Sequence, residues 1–142
     1  MEDTPFHWID NEDTMQEGLA VLIDELKQCP LLAVDLEFCD VKLDDGDSSS
    51  ESCGIIALIQ MSTVYSDYIV DCLQLRDIIR ADHGACSLRA VFQDAAITKI
   101  LHGSDSDQRY LVGDLGIATI NLFDTARAFA FLQRFPSVDQ IK

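Results

Sequence analysis

Positive charge is scarce in this sequence. Its 142 residues hold 10 lysines and arginines against 25 acids, a formal net charge of −15. Taken whole, that balance disfavours nucleic-acid binding, which draws its affinity from neutralised phosphates. The deficit is uneven, however. Residues 1–53 carry 15 acids and 2 bases, whereas residues 54–142 carry 10 acids and 8 bases. The acidity belongs to the first third of the chain, and an acidic site that binds cations can still hold phosphates through them.

Long apolar runs are also lacking. None reaches the roughly 20 residues of a membrane-spanning helix, so no membrane partner is expected. The N-terminus is acidic and has no apolar signal core, which speaks against a secretory peptide. There is no internal repeat. The cysteines (Cys29, Cys39, Cys53, Cys72 and Cys86) are odd in number and form no Cys-x-x-Cys pair. That pattern speaks against a disulfide framework or zinc site and fits reduced structural thiols in the cytosol or nucleus. The length suits one domain, and 48% hydrophobic residues suffice for its core.

What is present centres on Leu31-Leu32-Ala33-Val34-Asp35-Leu36-Glu37-Phe38. The apolar run predicts a central strand. Side chains alternate along a strand, so Asp35 and Glu37 share one face while Val34 and Leu36 enter the core. Two carboxylates on one face of a buried strand repel and lose hydration, and a bridging divalent cation relieves both. The spacing alone is equally compatible with solvated acids on a strand leaving the sheet edge.

Around it, Phe6–Ile9 reads as an edge strand. Thr14-Met15-Gln16-Glu17 fits a capping box, and Met15, Leu19, Leu22, Ile23 and Leu26 form one helical stripe that ends near Gln28, before Pro30. The segment from Asp44 to Ser52 is acidic, serine-rich and aperiodic, and predicts a mobile loop. It matches no EF-hand spacing. Gly54–Met61 and Tyr68–Asp71 predict strands in an antiparallel meander with the central strand. Leu75–Ile79 and Leu88–Phe92 predict short helices, Thr98–His102 a strand, Ser104–Leu115 a helix closed by Gly116, Ile120–Phe123 a strand, and Thr125–Gln133 a helix ended by Pro136. Strands in a meander and then alternating with helices make an α/β sandwich with the acidic strand mid-sheet, a ribonuclease H-like mixed sheet flanked by helices.

A second acidic group lies in His102-Gly103-Ser104-Asp105-Ser106-Asp107, followed by Tyr110-Leu111. By spacing alone, Ser104 and Asp107 read as a helix-capping pair. The two acidic segments together resemble the first and second motifs of the DEDD superfamily of 3′–5′ exonucleases, in the ribonuclease D form. Residues 57–63, 68–71, 113–117 and 122–125 resemble the segments around those motifs, so the likeness runs from about Phe6 to Phe135. It is nearest to eukaryotic homologues that work with the nuclear RNA exosome, with the bacterial enzyme as the near alternative.

The resemblance implies 3′–5′ exonucleolysis of RNA for processing or degradation, using two divalent ions, Mg2+ or Mn2+, that stabilise the attacking and leaving oxygens. It implies that Asp35 bridges both metals, that Glu37 binds one and seats the 3′-terminal ribose, and that Asp107, rather than Asp105, completes the second site. Phe38 is a candidate to stack on the terminal base, or a rim aromatic. His102 is a weaker substrate-side candidate and more often structural at a strand end. Arg109, Arg127 and Lys99 are scattered bases that could meet phosphates. Asp124 fits an anchor for the last helix. Single-stranded RNA 3′ ends, exosome subunits and a nuclear location follow from the resemblance, with the cytoplasm as alternative.

The chain departs from the pattern in two respects: the acidic stretch from about Lys42 to Ser52 stands where the family has a shorter connection, and would repel RNA unless it swings away, and a motif is missing. The third motif, with a fourth acid and a tyrosine or histidine that orients water, has no match after Asp107, and neither has the helical module that usually follows. Residues 1–142 therefore read as a partial exonuclease domain, incomplete at the C-terminus and inactive alone. A non-catalytic RNA- or protein-binding module with this fold is the alternative, as is a DNA exonuclease of the same superfamily.

Overall fold

The structure is a computed structural model and describes residues 4–42 and 52–134. Six strands form one mixed sheet: β1 (Phe6–Ile9), β2 (Leu31–Lys42), β3 (Ser52–Ser62), β4 (Asp67–Asp71), β5 (Thr98–Leu101) and β6 (Leu122–Asp124). Five helices accompany them: α1 (Glu12–Gln28), α2 (Cys72–Ala81), α3 (Leu88–Gln93), α4 (Asp105–Leu115) and, after the last strand, α5 (Thr125–Arg134). The sheet order is β1-β4-β3-β2-β5-β6. Strands β2, β3 and β4 form the antiparallel meander, and β1, β5 and β6 add in parallel. The acidic strand β2 is central, as its apolar character requires.

Alternation assigns each strand residue to a face. Leu32, Val34, Leu36, Ile59, Met61, Tyr68 and Val70 are buried on one face, and their core includes Leu19, Leu22 and Leu26 of α1, Leu75 and Ile79 of α2 and Phe92 of α3. Each fully buried aliphatic side chain there contributes about 2 kcal/mol. The opposite face carries a row that crosses the sheet: Phe6, Asp67, Ser62, Ala33, Ile100 and Phe123 are successive partners. Phe6, Ala33 and Phe123 in that row are exposed, as is Trp8 beside it.

Several boundaries differ from the sequence expectation. Helix α1 starts before Thr14. Asn11 is its N-cap, accepting from the Thr14 amide at 3.0 Å, while the Asn11 amide donates to the Thr14 hydroxyl at 3.1 Å. Thr14 is thus the third residue of the capping box, because Asn is the stronger cap. Strand β3 already includes Ser52. The rest of the acidic loop, 43–51, lies outside the described residues, as does Pro136. Cys29, Cys39, Cys72 and Cys86 are free thiols. Burial pushes the Cys72 thiol up to about 12, which keeps it protonated and inert.

Candidate active site

The site begins on β2. Asp35 lies opposite Gln60 of β3, and Glu37 lies opposite Leu58. The Gln60 amide donates to Glu37 Oε1 at 3.3 Å. Both acids leave the same side of the strand, while Val34 and Leu36 are buried on the other. Against expectation, Asp35 and Glu37 are exposed although the strand is central. They keep their hydration because they stand on the open face of the sheet. A register shift between Glu37 and Phe38 then turns the strand, placing Phe38 opposite Ile56.

The third acid comes from α4. Strand β5 ends at Leu101, and Gly103 takes the left-handed conformation (φ 69°) that turns the chain into the helix. Ser104 precedes the helix but makes no side-chain cap on it. Its hydroxyl donates instead to Asp124 Oδ2 at 2.9 Å, so the expected Ser104–Asp107 capping pair does not form. Asp124 also accepts from the amides of Gly103 and Ser104 at 3.0 and 2.9 Å. It accepts from the amides of Ala126 and Arg127 at 2.9 and 3.2 Å as well, which is the expected anchor of the last helix. The amides of Ser104 and Gly103, with the other donors, hold its carboxyl far below the usual range despite burial.

Two acids compete on the first turn of α4, and the structure separates them. Asp105 points outward to an ion pair with Arg127. Asp107 is half-buried. Its pKa is raised by that burial and by the negative charges of Asp35 and Asp124. Asp107 therefore feels the β2 acid across a wide gap in sequence. Carboxylates suit hard divalent ions, and a cation would relieve the repulsion between Asp107 and Asp35, so the donor set fits such an ion. Among the described residues, however, no three His, Cys, Asp or Glu side chains are gathered into a ligand cage.

A family model described as 3′–5′ exonuclease matches residues 6–137. The chain belongs to that family. It is 35% identical over 132 residues to human exosome complex component 10, covering 93% of this chain and 13% of that protein. It is 33% identical over 121 residues to the yeast exosome complex exonuclease RRP6 of Saccharomyces cerevisiae, covering 85% of this chain and 14% of that protein. The catalytic core of RRP6 from Trypanosoma brucei superposes with a TM-score of 0.72 at 32% identity, over 92% of this chain and 31% of that one. The chain thus spans under a fifth of these two curated relatives. The mixed sheet is that of the ribonuclease H-like exonuclease fold.

The remaining candidates of the exonuclease domain divide clearly. Phe38 is partly exposed, and its ring meets Tyr110 of α4 at a centroid distance of 4.5 Å and a 42° tilt. His102 is exposed, with Nδ1 2.9 Å from the Thr125 hydroxyl. Lys99 is no surface base. It is fully buried on the covered face, and its ammonium donates to the carbonyls of Asp94 at 2.6 Å and Ile97 at 2.8 Å. Burial lowers its pKa.

Two features escaped the sequence reading. Gly54 backs onto Tyr110, and a Cβ there would lie 2.8 Å from the tyrosine hydroxyl. Asp114, at the far end of α4, accepts from the Ile56 amide at 2.8 Å and from Arg80 at 3.1 Å, and it pairs with Arg76. Only the pairing of distant segments reveals either one.

Proposed function

We propose that the protein to which this chain belongs is a 3′–5′ exoribonuclease that hydrolyses phosphodiester bonds at single-stranded RNA 3′ ends. The observation that carries this reading is the placement of Asp35 and Glu37 on one face of β2, with Asp107 half-buried on α4 and its pKa raised by burial and by the charge of Asp35, in a chain of the 3′–5′ exonuclease family. Asp35, Glu37 and Asp107 would hold divalent ions, Mg2+ or Mn2+. When bound, such ions stabilise the attacking and leaving oxygens of phosphoryl transfer. Asp105 is spent on Arg127 and takes no part. Phe38, backed by Tyr110, offers a partly open ring for the terminal base. His102 is the weaker substrate-side residue, since Thr125 occupies its Nδ1.

The family's fourth acid and water-orienting side chain have no counterpart among the described residues. Exosome subunits as partners, and nuclear residence, are proposed from the relatives that are exosome components. Among the described residues no helix is long and apolar enough to cross a membrane.

The test uses the full-length protein with RNA and DNA oligomers of one sequence. Asp35→Ala and Glu37→Ala each reduce Mn2+- or Mg2+-dependent RNA shortening by at least about a hundredfold. Unchanged shortening in either variant would sink the assignment. The open arrangement of the acids favours a second reading, a module that binds RNA or protein without cutting. Tight RNA binding with no metal-dependent cleavage by the wild type would select it, and preferential DNA cleavage would select a DNA exonuclease.

A further inference from the structure

Asp124 is the most heavily bonded acid near the site, yet it lies on neither acidic motif. It is the last residue of β6 and is buried. Its carboxylate joins two segments. One is the β5–α4 turn, through the amides of Gly103 and Ser104 and the Ser104 hydroxyl. The other is the first turn of α5, through the amides of Ala126 and Arg127.

The turn side of this hub leads directly to Asp107. The carbonyl of Ser104 accepts the Gln108 amide at 2.9 Å, which closes the first turn of α4 around Asp107. Ser104 is itself buried, and its hydroxyl serves Asp124 rather than its own helix. Gly103 adopts a positive φ that lets two successive amides converge on one carboxylate. The α5 side supplies a further effect. Arg127, whose amide Asp124 fixes, pairs with Asp105 and keeps that rival acid turned outward.

Resting on the assignment of Asp107 as a metal ligand, we propose that Asp124 is a positioning residue that seats Asp107 by clamping the β5–α4 turn to α5, and so sets divalent-metal affinity. An asparagine there keeps one acceptor oxygen but turns an NH2 toward N–H donors, which opens the clamp on one side.

The experiment titrates Mn2+ into the full-length protein by calorimetry, and measures the metal dependence of cleavage in parallel. Asp124→Asn weakens Mn2+ binding about tenfold, the range for groups that orient a ligand, and raises the metal concentration for half-maximal cleavage likewise, while the KM for RNA stays at the wild-type value. Ser104→Ala keeps both backbone amides and weakens Mn2+ binding less. Should Asp124→Asn fail to fold, Ser104→Ala decides alone. Wild-type Mn2+ affinity in the folded variants, even with lowered melting temperature, overturns the proposal. Asp107→Asn separates the two levels. If it removes a Mn2+ site while Asp124→Asn and Ser104→Ala do not, only the positioning role falls. If Asp107→Asn leaves Mn2+ binding intact, the ligand assignment falls and this proposal with it.

Discussion

Glu25 gathers three hydroxyls onto one carboxylate: Thr63 and Ser66 at 2.6 Å and Tyr68 at 2.8 Å. Burial raises its pKa, but the hydroxyls of Ser66, Thr63 and Tyr68 outweigh that, and the net shift is downward. A depressed carboxylate contributes stability that is present above its unfolded pKa, near 4.5, and is lost as pH falls through the folded value. Glu25→Gln is therefore expected to lower stability at pH 7 by about 1–2 kcal/mol, allowing for partial exposure. The difference from wild type should shrink below about pH 4, and urea midpoints at both pH values check it. An undiminished difference in acid would assign the effect to packing. Nothing local marks Glu25 in the sequence, since its partners belong to the β3–β4 turn and β4. Asp35 and Glu37 were legible because strand alternation is local. Lys99 was not, because the carbonyls that accept its ammonium come from a loop whose path only the fold determines.

Helix α4 is tied at both ends, by Asp124 before its first turn and by Asp114 in its last. Asp114 accepts the Ile56 amide, and Arg76 donates to the Ile56 carbonyl at 2.7 Å, so β3, α2 and α4 meet at one residue. Asp114→Ala leaves the Ile56 amide without its acceptor and the mostly buried Arg76 without its counter-charge. The expected loss is about 3 kcal/mol, with faster hydrogen exchange at the Ile56 amide than at Ile59. Unaltered exchange at Ile56 would show that Asp114 does not hold the strand. At this scale the sequence was informative. Apolar periodicity places α1, and Gly116 ends α4 in the left-handed conformation that a glycine allows. The start of α1 was misplaced because Asn11 and Thr14 both suit an N-cap, and only their mutual bonds decide. The capping role expected of Ser104 failed for a similar reason: Asp124, distant in sequence, outcompeted the helix for its hydroxyl.

The molecule is two-sided. Among the described residues, one sheet face is packed by helices, while the other shows Phe6, Trp8 and Phe123. The strand pattern foretold six strands but not which face lacks cover, since these aromatics look like core residues in the sequence. Trp8 is the sole tryptophan and is 45% exposed. Its fluorescence should be quenched efficiently by acrylamide in the folded 142-residue chain. The double substitution Phe6→Ser, Phe123→Ser should change unfolding stability by less than about 1 kcal/mol, while reducing dye binding to the apolar face. A loss of several kcal/mol would mean that the aromatics are packed. A bare face of this kind also raises the matter of self-association, and here the Ile56 junction has a consequence. Strand β4 gives way to α2 at Asp71, so β3 runs on past its neighbour. Left alone, that overhang would present free main-chain groups as a template for a strand from another molecule. Asp114 takes the place of the missing strand's carbonyl and Arg76 that of its amide at Ile56, and so the pair guards that margin of the sheet against edge-to-edge pairing there.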